Sequence, residues 1–238
     1  MTKTQTRSTL LAFSIVAIVA VVASPSFAAP QDDVFKRAGE NKTEATDKAA
    51  TESSAQTETP ATSVTKDSDA KIEQQSDGWF TVVDDSALVE VRMPAKPTYK
   101  EITFSPIAGR SAVVNHLYNT TSKGSSIDYS WMDLHDAPTG KQLTKALDGA
   151  VKGAVVNVFG QLDAMTKIKA DKVPGREFDF TFPIRTPDGK THMLAGKSRI
   201  YIQGNRQYQL NVISPQGKAD NDMITKLFDS LIIKKAQE

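Results

Sequence analysis

The stretch GKSRIYIQGNRQYQLNVIS, residues 196–214, decides the fold of this chain. The Gly-Asn pair at residues 204–205 is a two-residue turn signal between two segments of alternating polarity, and it predicts a tight β-hairpin. Residues 221–231, NDMITKLFDSL, follow with apolar side chains at helical spacing. The block therefore predicts a hairpin with its covering helix, and the second strand is expected to point three side chains inward: Tyr208, Leu210 and Val212.

Further elements are predicted in the part of the chain that precedes this hairpin. Residues 176–184 alternate, with three phenylalanines on one face, and an Asp-Gly turn at residues 186–190 joins them to the hairpin. Residues 139–159 carry apolar side chains at helical spacing over five turns, which predicts a long helix. Shorter strands are predicted at residues 79–83, 88–93, 102–104, 111–119, 127–134 and 165–172, with a turn at 173–175.

The order of these elements predicts an α+β fold. Consecutive hairpins indicate an antiparallel sheet, and two amphipathic helices indicate layers that cover it. The expected architecture is a central antiparallel sheet covered by helices, an α/β/α sandwich, preceded by a disordered segment.

Residues 1–28 have the layout of a secretory signal peptide. Lys3 and Arg7 precede an apolar run, and small residues lead up to Ala28, where cleavage is predicted. The alternative is a retained anchor, but an apolar run of about 14 residues is shorter than the roughly 20 that a span needs. The chain is therefore expected to be exported, periplasmic or secreted, without stable membrane insertion after cleavage.

Residues 29–77 are expected to be a disordered tether rich in Thr, Ala, Ser and Glu. Residues 31–77 hold 11 acidic and 6 basic residues, a net charge of −5, and few large apolar side chains. Such composition cannot offset the conformational entropy of ordering the backbone. The alternative is a recognition arm, with residues 34–37 as a short binding motif.

Residues 78–238 are expected to form a single domain. They hold 21 basic and 17 acidic residues, a net charge of +4 that is not clustered. A nucleic-acid binder would show a dense basic face, so nucleic acid is not an expected partner. The chain has no cysteine, which excludes disulfide-linked oligomers and thiolate chemistry.

The domain resembles the PsbP-like superfamily, including envelope domains of the DcrB type. The resembling residues are Val173-Pro174-Gly175-Arg176-Glu177, the hairpin at residues 196–212 and the terminal Phe228-Asp229-Ser230-Leu231. The resemblance implies an α/β/α sandwich without enzymatic activity, in a scaffold or partner-binding role. It implies no functional residue in this chain.

The densest polar cluster is the predicted loop of Asp133, His135 and Asp136. Aspartate and histidine side chains could bind a divalent metal or perform acid–base chemistry. Their spacing has no helix or strand geometry that makes three ligands converge, so a solvated loop is the favoured interpretation. His116 and His192 are expected to be half-buried strand residues.

Arg176, Arg199 and Tyr201 lie on neighbouring predicted strands. If the two arginines share an exposed face, they could bind an acidic partner. The favoured interpretation is cross-strand pairing with Glu177 and Asp179.

These observations leave two candidate functions. The first is an exported, non-catalytic domain that binds a protein or envelope partner and needs no cofactor, because the sequence holds no catalytic constellation or phosphate loop. The alternative is a small-molecule or metal-binding domain, or a weak hydrolase, that uses Asp133, His135 and Asp136.

Overall fold

A computed structural model describes residues 62–65, 68–104 and 111–235. Over these ranges the chain forms twelve strands and two helices. The strands are β1 Thr62–Thr65, β2 Lys71–Gln74, β3 Phe80–Asp84, β4 Val89–Met93, β5 Thr98–Phe104, β6 Val113–Ser122, β7 Ser125–Asp133, β8 Gln161–Ala170, β9 Val173–Arg185, β10 Thr191–Gln203, β11 Arg206–Pro215 and β12 Ile232–Ile233. The helices are α1 Gly140–Val156 and α2 Asn221–Asp229.

Eight strands form one large antiparallel sheet in the order β1-β5-β6-β7-β11-β10-β9-β8. The predicted hairpin is confirmed at its centre, where Tyr201 faces Tyr208 and Gln203 faces Arg206 across the Gly204 turn. The left-handed φ of +59° at Gly204 is the conformation that such a turn needs and that glycine adopts without strain.

The remaining four strands form a second, smaller antiparallel sheet in the order β12-β4-β3-β2. Val82, Val91 and Met93 of its central hairpin are fully buried. They share one core with α2 and with one face of the large sheet. We call this face of the large sheet the second-sheet face. Its buried side chains are Tyr118, Tyr129, Trp131, Tyr201, Tyr208, Leu210 and Val212.

The opposite face of the large sheet packs against α1, and we call it the α1 face. Phe178, Phe180 and Phe182 of β9 stack along it at ring-centroid distances of 5.6 and 5.8 Å. Leu147 and Val151 of α1 are buried in the same cluster. Helix α1 therefore packs on the part of the large sheet that β8, β9 and β10 form.

The expected helix-covered α/β/α sandwich is wrong. Among the described elements, α1 is the one helix on its face and packs on β8, β9 and β10, while the other face packs against the second sheet together with α2. The sequence located β3 and β4 as strands, but alternation does not say which sheet a hairpin joins. The fold is mostly β, with two antiparallel sheets and two helices in the part of the chain that the structure describes.

Two strands lie inside the segment that was expected to be a disordered tether. β1 extends the large sheet beyond β5, and β2 pairs with β3 in the second sheet. The ordered fold therefore starts before residue 78. The signal peptide at residues 1–28 and the tether up to residue 61 lie outside the described residues. No helix in the described ranges is long and apolar enough to cross a membrane.

The turn before β9 lies two residues earlier than the sequence predicted. Asp171 has a φ of +52° and joins β8 to β9, while Val173 already pairs with Ala170. Gly175 continues β9, and a Cβ there would lie 2.5 Å from the Cδ1 atom of Tyr201. The Pro-Gly pair thus marks a close approach between strands rather than a turn.

Candidate binding surfaces

Asp133, His135 and Asp136 do not form a joint site in the structure. Arg206 donates two hydrogen bonds to the Asp133 carboxylate, with Nε–Oδ1 at 2.6 Å and Nη2–Oδ2 at 2.9 Å. His135 Nε2 lies 3.0 Å from the carbonyl oxygen of Ser111, and Asp136 is exposed. No group of three or more His, Asp or Glu side chains that could hold a metal ion occurs among the described residues.

Arg176 and Arg199 point to opposite faces of the large sheet. Arg176 faces Ile200 in the register, is only 4% exposed, and donates from Nε to Asp148 Oδ1 of α1 at 2.7 Å. It therefore anchors the helix to the sheet. The two guanidinium groups cannot bind one partner together.

The alternative interpretation, cross-strand pairing, holds for Arg199. Its Nε donates to Glu177 Oε2 at 2.6 Å, and its guanidinium carbon lies 4.8 Å from the ring centroid of Phe228. Tyr201, also predicted as a binding candidate, is 2% exposed and belongs to the core shared with the second sheet. These two side chains are occupied in holding the fold together.

A buried carboxylate joins the two sheets. Asp84 of β3 accepts hydrogen bonds from Tyr118 OH at 2.9 Å, Trp131 Nε1 at 3.1 Å, Ser86 Oγ at 2.6 Å and the backbone N–H of Ala87 at 3.0 Å. Burial raises the pKa of this carboxyl, but the four donors outweigh it, so the net pKa lies below the ordinary value. Asp84 is thus held as an anion between the sheets.

Two planar groups also pack on the ring of Trp131. The His116 ring stacks on it at 3.8 Å and an interplanar angle of 8°, and the Arg206 guanidinium carbon lies 4.4 Å from its centroid. His116 Nδ1 is 2.6 Å from Tyr99 OH. Burial lowers the pKa of His116, which favours a neutral imidazole, and this side chain is half-buried as the sequence predicts. The same prediction is wrong for His192, which is exposed at the start of β10.

On β6, β7, β11 and one position of β10, the α1 face carries a cluster of polar side chains. Its members are buried: Asn115, Asp128, Ser130, Ser198, Gln207, Gln209 and Asn211. Ser198 Oγ and Gln209 Nε2 both donate to Asn211 Oδ1, at 2.7 and 2.8 Å, and Asn119 Nδ2 donates to Asp128 Oδ1. The alternation along the second strand predicts only Tyr208, Leu210 and Val212 as inward side chains, so it carries no signal that the polar positions between them are buried as well.

Several atoms of this polar cluster have no hydrogen-bond partner in the described part of the chain. They are both amide atoms of Asn115, Oδ2 of Asp128 and Oε1 of Gln209. Burial raises the pKa of Asp128 to about 6. These atoms are closed to solvent. Buried polar atoms without partners lower the stability of the fold.

The edge strand β8 is the most exposed element of the large sheet. Eight of its ten residues are exposed, and β9 is its only neighbour among the strands that the structure describes. A free edge presents unpaired backbone N–H and C=O groups that can pair with another extended chain. Lys167 and Lys169 project on the α1 face, because they lie opposite Arg176 and Pro174 in the register.

Exposed apolar side chains occur on β8 and at the end of α1, which contacts β8. Val156 is 67% exposed and Phe159 is 90% exposed, and Leu162 and Met165 of β8 are also exposed. We call β8 together with Val156 and Phe159 the β8 edge surface. Most large apolar side chains of a folded chain are buried, and several exposed ones on neighbouring elements are typical of an interaction surface.

Phe159 has a left-handed φ of +52°. Its N–H donates to Val156 O at 2.9 Å, and the N–H of Gly160 donates to Val155 O at 2.9 Å. This is the helix C-terminal motif in which glycine usually takes the left-handed position. A bulky residue there is strained by about 1–2 kcal/mol, and its exposed ring gains no packing in return.

A shallow groove lies beside β8 on the second-sheet face. Its volume is about 480 Å³, and its floor includes Asp179 and Lys197. Asn221 and Thr225 of α2 form a wall, and Asp163 of β8 lines it as well. Lys197 is held between Glu177 and Asp179 at 3.0 and 3.1 Å.

Comparisons with known proteins do not assign a family. No family model matches the chain, and no curated protein matches it. A crystal structure from Bacteroides thetaiotaomicron VPI-5482, determined at 1.50 Å resolution, is similar over 62% of this chain with 13% identity and a TM-score of 0.37. The match spans 46% of that chain, less than half of its length. The resemblance to the PsbP-like superfamily remains a prediction from the sequence.

Proposed function

We propose that this chain is an exported, non-catalytic domain that binds an extended segment of a protein partner at the β8 edge surface. The observation that carries the proposal is the free edge of β8 beside the exposed, left-handed Phe159. Strain that packing does not offset is typical of residues kept for function.

The backbone of β8 supplies the affinity in this proposal. A segment that adds a strand gains main-chain hydrogen bonds along Gln161–Ala170, and its alternate side chains reach the two faces of the sheet. On the α1 face these side chains would meet Met165, Lys167 and Lys169. The segment is therefore expected to be apolar at one position and acidic at the next two positions on that face.

The metal or hydrolase alternative is not favoured by the geometry. Asp133 is paired with Arg206. Among the described residues, neither His135 nor Asp136 belongs to a group of three side chains that could hold a metal ion. Elemental analysis of the purified chain is the simplest test of this alternative.

A peptide-binding experiment tests the proposal on the mature chain. The probe is a fluorescent ten-residue peptide of alternating valine and threonine with two glutamates on the face that would meet Lys167 and Lys169. We expect saturable binding by anisotropy, together with slower hydrogen exchange of the β8 amides in the complex. Binding without protection of β8 would contradict the proposed site.

Matched variants separate the surface from the fold. Phe159→Gly combined with Met165→Ser is expected to weaken binding about tenfold, because it removes the apolar contacts. Ile232→Thr removes an exposed apolar side chain of the second sheet and serves as the control. Equal affinity of all three proteins would argue against the β8 edge surface.

A further inference from the structure

The strand β8 carries a bulge that turns one acidic side chain toward the groove. The register with β9 shifts between Leu162 and Ala164, so Asp163 is the extra residue. Its Oδ1 accepts a hydrogen bond from Thr181 Oγ1 at 3.5 Å, on the second-sheet face. Bulges at sheet edges commonly redirect a side chain, and here the carboxylate of the bulged residue lines the groove.

The charges around the groove are not balanced. Lys197 forms ion pairs with both Glu177 and Asp179. Asp163 lines the groove without pairing with a cation among the described residues. A positive side chain would therefore be attracted to this end of the groove.

We propose that the groove beside β8 receives a lysine or arginine side chain of the bound partner segment, with Asp163 as its carboxylate. This inference rests on the proposed function, because the partner strand must lie along β8 to direct that side chain into the groove. The segment would then be acidic on the α1 face, opposite Lys167 and Lys169, and basic on the second-sheet face near Asp163.

A second copy of the chain does not have this pattern. In an antiparallel pair of β8 strands related by a two-fold axis, the α1 faces of both copies would be continuous. Lys167 and Lys169 of the added copy would then project on the face opposite the groove. The charges therefore favour a different protein as the partner.

Two peptides and one conservative substitution test the inference. The first peptide is the valine–threonine–glutamate probe with a lysine placed to face Asp163, and the second has norleucine in place of that lysine. The comparison varies only the charged amine, and Asp163→Asn removes only the carboxylate charge. Anisotropy titrations of the mature chain give four affinities, which form a double-mutant cycle.

We expect the lysine peptide to bind the wild-type chain about fivefold more tightly than the norleucine peptide, the upper range for an exposed ion pair. Asp163→Asn should abolish this difference while leaving the norleucine peptide unaffected. Asp171→Asn serves as the control, because it removes an exposed acid at the other end of β8.

The possible failures are distinguishable. Equal binding of both peptides to the wild-type chain would overturn the groove assignment and leave the β8 edge surface in place. Loss of both peptides in Asp163→Asn would show that Asp163 maintains the bulge, and would also overturn the assignment. Absence of binding by either peptide would overturn the proposed function together with this inference.

Discussion

Gly196 of β10 lies directly opposite Phe180 of β9, and the phenyl ring fills the space above the glycine. A Cβ at residue 196 would lie 2.1 Å from Cζ of Phe180. Aromatic side chains covering a glycine on the neighbouring strand are a known device of β-sheets. This contact ties the hairpin to the row of phenylalanines under α1.

Gly196→Ala is expected to destabilise the fold by about 1–3 kcal/mol, because the ring of Phe180 must shift within a packed core. Gly149→Ala offers the contrast, since a Cβ on that exposed helical residue meets nothing within 4 Å. It should stabilise the fold by up to about 1 kcal/mol. Urea unfolding of the three proteins measures both values, and equal midpoints would contradict the packing.

Asp128→Asn is expected to stabilise the chain by about 2–3 kcal/mol at pH 7. The folded-state pKa of Asp128 is raised to about 6, against 3.8 as the ordinary value, because burial disfavours the charged form. Stability associated with the protonated form is complete below pH 3.8 and is lost as the pH rises through 6. The asparagine avoids that loss.

The pH dependence provides the control for Asp128→Asn. Asn119 of β6 and Lys100 of β5 are the groups that act on this carboxyl besides burial. The gain in unfolding free energy should shrink below pH 6 and vanish below about pH 4. A variant that is less stable than the wild-type chain at pH 7 would show that the carboxylate is paired.

Asp84→Asn is expected to have the opposite effect. Its folded-state pKa is lowered, so its contribution to stability is present above the ordinary value of 3.8 and is lost as the pH falls through the folded-state value. We expect a loss of about 1–3 kcal/mol at neutral pH, because Tyr118 and Trp131 would donate to a weaker acceptor. The loss, measured by urea unfolding, should diminish below pH 4.

Phe159→Gly is expected to raise the free energy of unfolding by about 1 kcal/mol, because glycine adopts the left-handed conformation without strain. The same change should weaken peptide binding at the β8 edge surface. Thermal unfolding and anisotropy together measure the two effects. A destabilised variant would mean that the ring packs on the protein rather than facing a partner.

Local patterns in the sequence gave most of the strands and both helices. The turn at residues 204–205, the alternation of Phe178, Phe180 and Phe182, and the spacing in α1 all depend on neighbours along the chain, and these predictions are confirmed. The turn at residues 173–175 was misplaced, because a proline-glycine pair also occurs where strands approach closely.

The candidate site was less accessible to prediction. Residue type makes Asp133, Arg176 and Arg199 candidates, but pairing with distant residues decides whether their charges are free. Burial in the core likewise removes Tyr201 from the candidates. The exposure of Phe159 and the bulge at Asp163 have no signal in residue type alone.

The sequence by itself determined where hairpins and helices form, because turn residues and apolar periodicity act over a few residues. Only the tertiary structure decided that the strands divide into two sheets, that Arg176 and Arg199 lie on opposite faces, and that β8 remains at a free edge. These features depend on which distant strands pair, and pairing is set by burial across the whole molecule rather than by any one segment.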